Sequence, residues 1–174
     1  MLIGIVSFYS CRNSVEQKVS KTKVAQHKIL QQPDGTISLK VEKADCYQDL
    51  INPSSNTAEW NVVVSKSGRF NVWLSSSTKD TTDLNYSNSI KLNILDNRFE
   101  VRPGCDKIIR NSRDVSYPYF RADSFVGSLY IQDTGLFNVQ IISEKIIPGD
   151  MKKGESTASD NSKLLSVFFT PVTR

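Results

Sequence analysis

Enzymes work through positioned acids, bases and nucleophiles, and this chain offers few residues that could act in those roles. Its one histidine, His27, lies in a segment rich in lysine and glutamine. The rest of the chain therefore has no Ser-His or Cys-His pair and no histidine-ligated metal. Carboxylates are the other route to catalysis. Asp80, Asp83, Asp106, Asp114 and Asp123 all stand in polar stretches. There they read first as solvated turn residues, and only secondarily as half of a glycosidase pair. No glycine-rich phosphate loop and no CxxC spacing is present. The expected catalytic set is empty.

Sugar recognition asks for different chemistry: flat aromatic faces for the apolar side of a pyranose, and a few polar side chains for its hydroxyls. Trp73 fits the first requirement. In Arg69–Ser75, Phe70, Val72 and Leu74 alternate with Asn71, Trp73 and Ser75, which puts the indole on the face opposite the apolar one. There it is either an open platform or packing beneath a loop. The run Tyr117-Pro118-Tyr119-Phe120-Arg121-Ala122-Asp123 gathers aromatics beside an arginine and an aspartate where no strand period runs. It reads either as a binding rim or as a plug in which Tyr119 or Phe120 closes one end of the domain. Tyr86, with Asn88, adds a candidate from an earlier polar stretch. The expected ligand-binding set is Trp73, Tyr86, Tyr117, Tyr119, Arg121 and Asp123. Trp60 shares parity with Val62 and Val64 and is expected in the core, whereas Asn93 and Gln140 are expected as solvated positions on strand faces.

The elements that must carry these residues are strands. Ile37, Leu39 and Val41 alternate with Thr36, Ser38 and Lys40, and the same period recurs over Glu59–Ser65, Arg69–Ser75, Ile90–Ile94 and Phe137–Ile141. Turn signals stand between them at Ser67-Gly68, Asp96-Asn97 and Asp133-Thr134-Gly135. Leu164–Thr170 is apolar enough throughout to be a central buried strand. No long amphipathic helix is legible. Seven or eight short strands with turns between them predict an all-β fold, an antiparallel β-sandwich of the jelly-roll kind, over residues 35–174. Three polar stretches interrupt it. Ser75–Ser89 and Asp106–Ser124 are candidate rims of a site, and Gly149–Ser162 is expected to be disordered.

Charge and the first residues bear on location. The formal net charge is +4. Between Arg12 and Gln32 five basic residues face Glu16 alone, which accounts for all of it, so the body from Pro33 is formally neutral. A nucleic-acid partner, which would need basic residues massed on the folded face, is not expected. Residues 12–34 read as a flexible tether. The apolar run before Cys11 is shorter than the roughly 20 residues that span a bilayer. Phe8-Tyr9-Ser10-Cys11 resembles the lipobox of bacterial lipoproteins, with Phe8 where the family usually has leucine. The resemblance implies that residues 1–11 are a truncated lipoprotein signal, that Cys11 is lipidated, and that the protein is anchored in the bacterial cell envelope, periplasmic or surface-facing. On this reading the lipid is its one contact with the membrane. The alternative is a buried N-terminal strand with a free thiol. Cys46 and Cys105 then remain, as a bridge or as two free thiols.

Three stretches of the body resemble the galactose-binding-like jelly roll of family 6 and family 35 carbohydrate-binding modules. Ile37-Ser38-Leu39-Lys40-Val41-Glu42-Lys43-Ala44 is similar to the opening strand. Ala58–Val64 with Ser67–Leu74 is similar to the hairpin in which a tryptophan packs inward and a glycine precedes an aromatic-x-Val run. Gly127–Ile131 with Gly135–Ile141 is similar to the late hairpin. The resemblance implies a non-catalytic module that recognises a glycan. Its rival is a structural or assembly lipoprotein that uses the same sandwich to bind another envelope protein. In many such modules the opening glutamate helps hold a structural calcium together with an aspartate near the last strand. Glu42 matches the first position, and Leu164–Pro171 contains no carboxylate for the second.

Overall fold

Strands form wherever one face can be buried between two layers, and both layers are present. The computed structural model describes residues 20–22, 28–146 and 162–172, the first three as backbone only. One sheet contains, in spatial order, β1 (Ser20–Thr22), β4 (Asp45–Gln48), β5 (Thr57–Val64), β11 (Gly135–Ile142), β7 (Ile90–Ile94) and β8 (Asn97–Val101), with β2 (Lys28–Leu30) parallel to β5. The other runs β3 (Ile37–Lys40), β12 (Ser162–Pro171), β6 (Gly68–Thr78), β10 (Phe120–Ile131) and β9 (Lys107–Ile109), all neighbours antiparallel. The chain is an antiparallel β-sandwich, as the alternation predicts.

The core lies where the two inner faces meet. Trp60, Val62, Leu92, Ile94, Val139 and Ile141 come from one sheet, and Leu39, Phe70, Val72, Leu74, Val167 and Phe169 from the other, all buried. Each buried side chain of this size stabilises the fold by roughly 1.5–3 kcal/mol. Trp60 is a core residue, as its parity predicts, and its indole N–H donates to the Lys40 carbonyl oxygen at 2.9 Å, which satisfies its buried donor.

Two sequence expectations change. First, part of the segment read as tether belongs to the fold. β2 pairs with β5, and the buried Gln31 behind it accepts from the Ser65 and Lys66 amides at 3.0 and 2.7 Å while donating to the Gly35 carbonyl at 2.8 Å. A three-residue strand is too short to show a period, so nothing in the sequence announces it. Second, both candidate rim stretches are partly strand. β6 continues to Thr78, and Asp106–Ser124 contains β9 and the start of β10. Ser75, Ser76, Ser77 and Thr78 are buried opposite Asp123, Ala122, Arg121 and Phe120, and polar residues in buried strand positions look like loop. For Cys46 and Cys105, where the sequence leaves a bridge or two thiols open, the structure has no disulfide between them. Cys11, His27 and all of Gly149–Ser162 except Ser162, which opens β12, lie outside the described residues.

Candidate functional site: an aromatic row on the five-stranded sheet

Since Phe70, Val72 and Leu74 fill the core, β6 must present Asn71, Trp73 and Ser75 outward. Strand register then decides their neighbours. Phe168 of β12 and Phe125 of β10 both stand opposite Trp73. The Trp73 ring lies parallel to Phe168, with centroids 6.3 Å apart and planes at 10°, and meets Phe125 edge-on at 5.0 Å and 61°. Phe125 is 42 % exposed, and Trp73 and Phe168 are half-buried. The result is an aromatic row across three strands with open edges.

A charged network borders this row. The Arg121 guanidinium carbon lies 5.4 Å from the Phe168 ring centroid. Asp123, the residue beneath it, is only 4 % exposed at its side chain. It accepts from Arg121 Nε at 2.8 Å and Nη2 at 3.0 Å, and from the Ser75 hydroxyl at 2.5 Å. A buried carboxylate needs such pairing, and the two-pronged geometry fixes the plane of the guanidinium. Arg121 Nη1 also donates to Asp114 at 2.9 Å, and Lys40 Nζ reaches the other Asp114 oxygen at 3.4 Å. Burial pushes the Asp114 carboxyl up, but the hydrogen bonds from Lys40 and Arg121 outweigh it and hold the group below its ordinary value. The hydrogen bond from Arg121 to Asp123 is the main influence that raises the guanidinium above its own ordinary value. A cavity of about 310 Å³ continues from Lys40 and Asp114, walled by Glu42, Arg113, Lys163 and Ser166.

Trp73 is brought beside Arg121 and Asp123, which are far from it in sequence but only two residues from each other. Tyr119 stands just before β10, with Lys79 Nζ 5.0 Å from its ring centroid. Tyr117, in the same approach to the strand, is 93 % exposed. Tyr86 does not join them, which corrects the expectation for this residue. It is 2 % exposed, its hydroxyl lies 3.1 Å from Ser76 Oγ, and burial raises its phenol well above the ordinary range. Leu84 and Tyr86 both point into the core from a stretch that reads as polar loop.

The residues missed by sequence reading are Phe125, Phe168, Lys40 and Ser75. Phe168 is hidden inside a continuously apolar strand, where nothing distinguishes the outward residue. Phe125 is hidden by a register shift between Phe125 and Gly127, which breaks the alternation of β10. Gly127 suits that position because a Cβ there would come within 2.9 Å of the Phe99 ring.

Glu42 lies in a short 3₁₀ turn at residues 41–43, and its cavity also contains Asp114 together with Lys40, Arg113 and Lys163. Among the described residues no group of three or more His, Cys, Asp or Glu side chains could hold a metal. Calcium takes six to eight oxygens, and two carboxylates set among Lys40, Arg113 and Lys163 do not supply that set.

No family model matches the chain, and no curated protein does. Solved structures do resemble it. It is similar to an α-L-fucosidase from Vibrio sp. strain EJY3, with a TM-score of 0.62, 18 % identity, and coverage of 82 % of this chain and 24 % of that one. The likeness is one of fold. The chain spans about a quarter of the fucosidase chain. Two weaker resemblances are to a Podospora anserina GH26-CBM35 β-(1,4)-mannanase (TM-score 0.46, 10 % identity, 81 % of this chain and 28 % of that one) and to the insecticidal crystal protein Cry2Aa (0.47, 12 %, 83 % and 22 %).

Proposed function

We propose that this domain is a non-catalytic carbohydrate-binding module of a lipid-anchored cell-envelope protein. One observation carries the reading: the half-open Phe168–Trp73–Phe125 row, bordered by the Arg121–Asp114–Lys40 network and its cavity. Aromatic faces suit the apolar side of a pyranose, and the charged groups beside them suit its hydroxyls. The same fold in part of an α-L-fucosidase chain is in keeping with a module that works beside sugar-active enzymes. A general acid would need a raised pKa, and Asp114 is shifted the other way.

The test is a glycan array on the unlipidated chain, followed by calorimetric titration of whatever binds. Trp73→Ala is expected to weaken binding by about tenfold or more, the equivalent of one lost ring contact of roughly 1.4 kcal/mol. Absence of any glycan ligand, or one bound equally well by the Trp73→Ala chain, would end the proposal. The second reading, an assembly protein that binds another envelope protein, has in its favour the well-exposed Leu50 and Ile51 between β4 and β5. Recovery from membranes of one stoichiometric partner, insensitive to sugar and to Trp73→Ala, would favour it instead.

A further inference from the structure

The outer face of the five-stranded sheet continues past the aromatic row, and its next two rows differ in kind. One step along β6, Asn71 is registered with Thr170 of β12 and Ser128 of β10, and the Ser128 hydroxyl donates to Asn71 Oδ1 at 2.6 Å. One step further, Arg69 stands opposite Tyr130. Tyr130 is 61 % exposed, and with Gly68, Arg69 and Val172 it lines a separate hollow of about 490 Å³. The core does not use this tyrosine, because Leu129 beside it is the residue pointing inward.

We infer that Tyr130, Arg69 and Val172 form a second sugar station, and that the ligand is a glycan chain lying along β6 from Trp73 to Arg69. This rests on the carbohydrate-binding reading and deepens it by naming the form of the ligand. From residue 69 to residue 73 a strand rises by about 13 Å, at about 3.3 Å per residue, which is longer than one pyranose ring. Along that length an aromatic row, a hydroxyl-and-amide row and an aromatic-plus-guanidinium row follow in turn. A glycan chain has the matching pattern, since each unit carries an apolar ring face and a hydroxylated rim. The centre of a protein interface has one contiguous apolar patch in place of such rows. An oligosaccharide of more than one unit is therefore the ligand, in place of a single sugar.

The test uses the full-length chain and size-graded oligosaccharides, disaccharide to hexasaccharide, of the gluco-, manno-, xylo- and galacto-series, titrated calorimetrically against wild type, Tyr130→Ala, Tyr130→Phe and Trp73→Ala. Wild-type affinity is expected to rise by roughly tenfold with length until both stations are filled, and then to level off. Tyr130→Ala should abolish that rise and leave disaccharide affinity unchanged, Tyr130→Phe should keep it, and Trp73→Ala should weaken every length. An unaltered melting temperature for Tyr130→Ala would confirm that its effect is local. A flat length profile with intact dependence on Trp73, or a Tyr130→Ala effect equal at all lengths, overturns the second station alone. Failure of every oligosaccharide to bind wild type overturns the carbohydrate-binding reading and this inference together.

Discussion

Asp114 and Asp123 show how differently two aspartates of one polar stretch can be used. Asp123 is enclosed and braced from two sides, by the Ser75 hydroxyl and the Arg121 fork, whereas Asp114 sits at the rim and is shared between Arg121 and Lys40. The Asp114 carboxyl is held below its ordinary value of 3.8. A carboxylate depressed in the fold contributes stability that is fully present above the unfolded-state value and is lost as the pH falls through the lower folded value. Asp114→Asn should therefore be less stable than wild type at neutral pH, and the difference should shrink to nothing only when the pH drops below that ordinary value. Urea midpoints of the two chains across an acid series measure this, and a gap that closes already near neutrality would contradict it. At this scale the sequence was partly readable. The parity of Trp73 placed it outside the core, but the enclosure of Asp123 depended on Ser75, 48 residues away, and could not be read locally.

The strands differ in how far their own residues reveal them. β5 and β7 alternate without interruption, and both are legible. β6 beyond Leu74 and β10 before Phe125 carry buried serines, a threonine and an aspartate, so both read as loop although they pair with each other residue for residue. β2 is three residues long and is secured from outside itself. Gln31, next in the chain, bridges the Gly35 turn to the β5–β6 turn. Gln31→Ala leaves the Ser65 and Lys66 amides and the Gly35 carbonyl without their partner. The expected loss is about 0.5–1.5 kcal/mol, the net worth of a typical hydrogen bond, because the Ser65 and Lys66 amides are only part-buried and water can take the place of Gln31 there. Chemical denaturation would show it as a lowered midpoint with an unchanged slope. An unchanged midpoint would mean that β2 contributes little to the sandwich.

For the whole molecule, the proposed anchor and the folded domain are separate requirements. Lipidation of Cys11 predicts that the expressed chain partitions into the detergent phase of a Triton X-114 extraction, and that Cys11→Ser moves it to the aqueous phase with its melting temperature unaltered. Equal partitioning of the two chains would remove the anchor from the proposal and leave the aromatic row untouched. The sequence by itself determined that the body folds as two stacked β-layers, because period-two alternation is a local property and a strand with one apolar face has to bury it. It also determined that the body bears no net charge and that Trp73 faces away from the core. Only the tertiary structure decided which outward residues meet. Rows across a sheet are set by strand order, register and bulges, and those bring Phe168, Trp73 and Phe125 into line, seat Arg121 over Phe168, and withdraw Tyr86 into the core. The physical reason is that a side chain's direction is a property of its own strand, whereas its neighbours belong to distant segments chosen by the packing of the whole chain.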